Sequence, residues 1–99
     1  MIEISAEIYC ALAARLRQEI GMADWFNGAV EYETEELHAR LVLTAIVYRR
    51  TETAPEGTRR PIADIVPVWW ELATVQECGC VTNDFSFSEL KPYLIEYEQ

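Results

Sequence analysis

The sequence predicts an α+β domain of order α-β-β-β-α: a three-stranded antiparallel meander packed with an N-terminal and a C-terminal helix. Three patterns lead there. Apolar residues recur every fourth position from Ile8 to Ile20, alternate without interruption from Leu37 to Val47, and return to helical spacing from Leu90 onward. The 99 residues, 51% hydrophobic and 25% charged, suffice for one core, so residues 1–99 read as a single domain.

Ser5 opens the first helix as its N-cap. Glu7 sits in the first turn, where the helix dipole favours a carboxylate, and Ile4 and Tyr9 have the spacing of a hydrophobic staple. Ile8, Leu12, Leu16 and Ile20 form one row, widened by Tyr9 and Ala13, and Gly21 ends the helix as a left-handed cap. Residues 25–34 then read as a strand with Phe26, Val30 and Tyr32 on one face. Asn27, Ala29, Glu31 and Glu33 take the other, and Gly28 marks a weak point or a bulge.

Glu35 and Glu36 turn the chain into the central strand, residues 37–50. Its odd positions from Leu37 through Ala39, Leu41, Leu43 and Ala45 to Val47 make an unbroken core face. The even positions carry His38 and Arg40, then Val42, Thr44, Ile46 and Tyr48, so the second face turns apolar in its later half. The stretch TETAPEGT, flanked by arginine pairs, reads as a protruding hairpin tip. A third strand spans 62–76. Period two places Val66, Val68, Trp70 and Leu72 toward the core and Ile65, Pro67, Trp69, Glu71 and Ala73 away from it. Pro67 cannot donate to a ladder, which marks an edge strand or a bulge. After a turn around Gly79, Ser86 and Glu89 have the spacing of a capping box, and Phe85 with Leu90 that of its staple. Leu90, Tyr93, Leu94 and Tyr97 stripe the last helix, read as 86–99, in which Pro92 sits awkwardly.

A net charge of −9 opposes binding to nucleic acid or to an anionic membrane, both of which reward clustered Lys and Arg. Double-stranded-RNA-binding domains share the order of elements, but the basic residues that would grip phosphate have no counterpart in a last helix with one Lys and three Glu. No segment has the pattern of a secretion signal or the length of a membrane span, and three cysteines leave one odd thiol, so the expected location is cytoplasmic.

Chemistry-bearing motifs are sparse. Glu31, Glu33, Glu35 and Glu36 with His38 offer metal-ligand atom types, but no second element supplies convergent carboxylates, and a solvated strand explains them. Cys10, Cys78 and Cys80 lack the paired spacing of a zinc site, and Glu77 and Asp84 would raise rather than lower a nearby thiol pKa. His38 has no nucleophile motif beside it, and no phosphate or dinucleotide loop is present. The expectation is therefore no enzyme, no cofactor and no metal.

Two surface features point instead to a protein partner or a second copy. Residues 49–60 hold Arg49, Arg50, Arg59 and Arg60 against Glu52 and Glu56, a basic tip on an acidic chain. These arginines are expected to act through charge rather than fold. Val42, Ile46, Tyr48 and Trp69 share the second sheet face, where either the C-terminal helix or a second chain must cover them. The expected function is a non-catalytic interaction or assembly module, a homodimer through that face. The alternative is a small-molecule or regulatory ligand site between sheet and helix near Trp69, His38 and the acidic strand.

Overall fold

Both helices lie on one side of an antiparallel sheet. The computed structural model describes residues 1–95. Its elements are α1 (Ala6–Ile20), β1 (Trp25–Glu33), β2 (His38–Arg49), β3 (Glu52–Ala54), β4 (Gly57–Arg59), β5 (Ile62–Gln76), β6 (Gly79–Val81) and α2 (Phe87–Leu94). The main sheet has the order β1-β2-β5-β6, and β3 pairs with β4 in a separate small hairpin. The α+β class and the meander between terminal helices hold. The additions are the β3–β4 hairpin, which forms the protruding tip, and the short β6.

The first helix and central strand follow their sequence patterns closely. Ser5 Oγ accepts the Ile8 N–H at 3.3 Å, and Gly21, at φ +56°, donates its N–H to the Arg17 carbonyl. Ile8, Tyr9, Leu12, Ala13, Leu16 and Ile20 are all buried, against Ala39, Leu41, Leu43, Ala45 and Val47 of β2 in one core. β1 pairs with β2 without a break from Trp25↔Ile46 to Glu33↔His38, so Gly28 is not a bulge. Its role is room: an added Cβ would lie 3.1 Å from Cζ of Phe26, whose ring folds back over the glycine.

The third long strand departs from its predicted phase. Thr44 pairs with Trp69 but Ala45 with Pro67, and Tyr48 pairs with Asp64 but Arg49 with Ile62. Val68 and Ala63 are thus extra residues at two bulges, and each bulge exchanges the faces of β5. Ile62, Ile65 and Leu72 are buried in consequence, whereas Val66 and Val68, assigned to the core by strict alternation, are exposed. Trp70 does lie on the core side, opposite Leu43, but at its rim: it is 37% exposed, its edge against Phe85 with ring centroids 5.2 Å apart.

Around Tyr9 the two helices meet. Its ring stacks on Phe85 and Tyr93 at 5.5 and 6.3 Å, and its hydroxyl accepts the Ser86 N–H at 3.1 Å. Burial pushes the Tyr9 phenol above its ordinary pKa, with Asp84 and Glu89 adding to the effect, although the Ser86 N–H opposes it. Arg17 donates to the Tyr93 carbonyl across the same junction. The side-chain capping box does not form. Ser86 is the N-cap residue of α2, but its hydroxyl lies 2.7 Å from that of Ser88 and caps no backbone N–H. Pro92 sits within α2 and leaves the Ser88 carbonyl without its helical donor. Phe87, Leu90 and Leu94 join the core; Tyr97 and the predicted extension to Gln99 fall outside the described residues.

Candidate functional site

Because α1 and α2 share one side, no described helix covers the other. Pairing places Trp25, Ile46 and Val66 in a row across β1, β2 and β5, with Asn27, Thr44 and Trp69 in the next row and Ala29, Val42 and Glu71 beyond it. Tyr48 continues the apolar end opposite Asp64. Trp25, Tyr48 and Trp69 are each about half exposed, at 50%, 51% and 52%. Thr44 Oγ1 donates to Asn27 Oδ1 at 3.0 Å, so the polar pair within this face is satisfied by itself. All four residues expected on this face, Val42, Ile46, Tyr48 and Trp69, are brought together there. Trp25 and Val66 were missed: the parity of β1 was enough to place Trp25, whereas the bulge at Val68 hid Val66.

The four arginines divide. The Arg49 side chain is only 3% exposed. Its guanidinium donates to the carbonyls of Gly21 (2.8 Å), Ala23 (2.9 Å) and Arg60 (2.9 Å), with Asp24 Oδ1 at 3.8 Å from Nε. It ties the C-terminal end of α1 to the base of the tip, so its role is in the fold and the expectation of action through charge alone does not extend to it. Arg50 Nη2 reaches Glu52 at 3.2 Å, and Arg59 approaches the same carboxylate at 3.8 Å. Arg59 and Arg60 are exposed.

At the opposite end of the sheet the face turns acidic. Glu33, Glu35, Glu36 and Glu77 line an open depression together with Leu37, His38 and Val75. His38 Nε2 lies 3.0 Å from Glu31 Oε1, and Arg40 Nε lies 3.9 Å from the same atom. Neither His38 nor Trp69 stands beneath a described helix, so the two do not share a helix-walled pocket. At the sheet margin, a hydrogen bond from Lys91 Nζ at 2.9 Å and another from the Ile65 N–H hold the Asp64 carboxyl below its usual pKa. Cys10, Cys78 and Cys80 are exposed free thiols. Among the described residues no three His, Cys, Asp or Glu side chains converge as metal ligands, and no helix is long and apolar enough to cross a membrane. Compared with protein-family models, curated proteins and solved structures, the chain matches none.

Proposed function

We propose that this chain is a non-catalytic assembly module that pairs with a second copy of itself through the open sheet face. The observation that carries the reading is the exposed Trp25–Ile46–Val66 row, flanked by Tyr48 and Trp69, on the side opposite both helices. Large aromatics exposed together on a rigid surface are what interface centres are made of. Antiparallel sheets also pack readily face to face, about 10 Å apart. The acidic surface and the spent Arg49 argue against phosphate-rich partners. The three free thiols agree with a reducing, cytoplasmic setting.

Sedimentation equilibrium tests the reading. Wild type should be dimeric at micromolar concentration, and Trp69→Ser should shift it toward monomer with its far-UV circular dichroism unchanged. A wild type that remains monomeric at millimolar concentration ends the proposal.

A further inference from the structure

We infer that the cleft between the C-terminal end of α1 and the base of the β3–β4 hairpin binds a small organic carboxylate. The cleft lies on the helix side of the sheet, so it is independent of the open face and of the pairing proposed there. Arg17, Gly21 and Met22 form one wall; Arg49 and the run from Thr58 to Ile62 form the rest. Four of the chain's eight basic residues line this one place, and none of its lining residues is acidic. Of the 17 acidic residues, only Asp24 and Glu52 come within ion-pair reach of these arginines among the described residues, each at 3.8 Å, from Arg49 and Arg59 respectively. Gathered like charges repel one another, and an anion held among them relieves that repulsion.

The arginines are also placed in advance. Arg49 is the fixed member: its side chain is 3% exposed, and its buried Nε has no hydrogen-bond partner among the described residues. The groups it does bond, the Gly21, Ala23 and Arg60 carbonyls, are neutral, so its charge is solvated without being cancelled. A charge held out of water acts more strongly on its surroundings than an exposed one. The Arg50 N–H donates to the Pro61 carbonyl at 3.1 Å, which with the Arg49–Arg60 bond pins the backbone next to Arg59. Arg17 is held from the other wall by its bond to the Tyr93 carbonyl, which occupies one of a guanidinium's five donors. The ligand class follows from the rest of the lining. Guanidinium forks match carboxylates and phosphates alike. Phosphate cradles, however, draw on the backbone N–H groups of a helix N-terminus, whereas α1 presents its C-terminal end, whose dipole opposes a second negative charge. Met22, 69% exposed, with Pro61 and Ile62, adds hydrocarbon surface. The volume, about 320 Å3, is at the small end of ligand sites. A singly charged carboxylate on a body the size of one ring meets all of these conditions.

Phenylacetate titrated into the full chain, followed by two-dimensional NMR, tests this. Wild type should saturate with a Kd below about 1 mM, with the largest shifts at Gly21, Met22 and Thr58. Arg59→Gln with Arg60→Gln should weaken binding at least ten-fold at an unchanged melting temperature. Arg40→Gln, at the far end of β2, should leave it within two-fold of wild type. Phenylacetamide, of the same shape but uncharged, should not bind, and inorganic phosphate should bind at least ten-fold more weakly than phenylacetate. A wild type without saturable shifts, shifts centred on Trp25 and Trp69, or an Arg40→Gln loss equal to that of the double variant overturns the site. Phosphate or phenylacetamide binding as tightly as phenylacetate overturns its assignment to carboxylates.

Discussion

Arg49→Ala, at the last residue of β2, should be among the most damaging substitutions outside the apolar core, although arginine at the mouth of a hairpin reads as solvated. The side chain is 3% exposed and donates to three backbone carbonyls, those of Gly21, Ala23 and Arg60. Hydrogen bonds from a charged donor contribute about 1.5–3 kcal/mol each when water cannot replace them. Here Gly21, Ala23 and Arg60 belong to exposed residues, so water recovers part of the loss. The guanidinium also sits by the negative end of the α1 dipole, adding about 0.3–1 kcal/mol. Against this, its Nε is buried without a hydrogen-bond acceptor, and Asp24 at 3.8 Å offers attraction only. The net expectation is a loss of about 2–4 kcal/mol for Arg49→Ala. Arg49→Lys, which keeps the charge but cannot span three carbonyls, should lose about half of that. Arg60→Ala should stay within about 0.5 kcal/mol of wild type. Urea denaturation followed by far-UV circular dichroism measures all three. If Arg49→Ala matches Arg60→Ala, the carbonyl clamp has no energetic weight and the tip is solvated as its composition suggests.

Three further outcomes follow from the core and the sheet margin. Leu12→Ala, at a fully buried position of α1, should cost about 2–5 kcal/mol; a shift under half a kcal/mol in the same denaturation assay would make α1 peripheral. Thr74 is buried, donates to the Val81 carbonyl at 2.7 Å and accepts from Asn83 Nδ2 at 3.0 Å, so Thr74→Val should cost about 1–2 kcal/mol by stranding that carbonyl. An unchanged urea midpoint would show that water reaches the β5–β6 edge. The Asp64 carboxyl is held low, so its pairing with Lys91 stabilises the fold above the unfolded carboxylate value of about 4 and is lost as pH falls through the folded value. The side chain is 48% exposed, which limits the effect to about 0–1 kcal/mol. Asp64→Asn should flatten the acid limb of the stability curve by that amount, and an identical limb would contradict the pairing.

Much of the scaffold was legible in the sequence because two elements carry unbroken periods. The Ile8–Ile20 row and the odd positions of β2 each name their buried face without help from neighbours. β5 does not, because a bulge adds one residue and reverses every assignment beyond it; with bulges at Ala63 and Val68, the strand is out of phase between them, from Asp64 to Pro67, and in phase on either side. Pro67 signalled an edge or a bulge there but not the position of the extra residue. Arg49 shows the opposite failure. It continues the odd, inward series of β2 after Val47, so its burial was readable, but a charged side chain at a strand end is ordinarily assigned to water. The open face was visible in Val42, Ile46, Tyr48 and Trp69. Which side α2 would take was not, since the Leu90–Leu94 stripe fits either face until the chain path through Asn83 and Phe85 is known. Asn83 settles that path by donating to the Leu72 carbonyl and to Thr74 Oγ1.

The bulge at Val68 also shapes the exposed rim of β5. Beyond its three residue pairs with β6, the outer rim of β5 faces no other described strand, and a bare rim of backbone donors and acceptors beside two tryptophans is the kind of template from which fibrils grow. Here the template is interrupted: Pro67 has no N–H to offer, and the extra residue next to it throws the spacing of the remaining groups out of step with any regular incoming strand. On the far rim, Glu31 and Glu33 set like charges against each other whenever two β1 strands approach side by side. Both margins therefore resist growth by lateral strand addition.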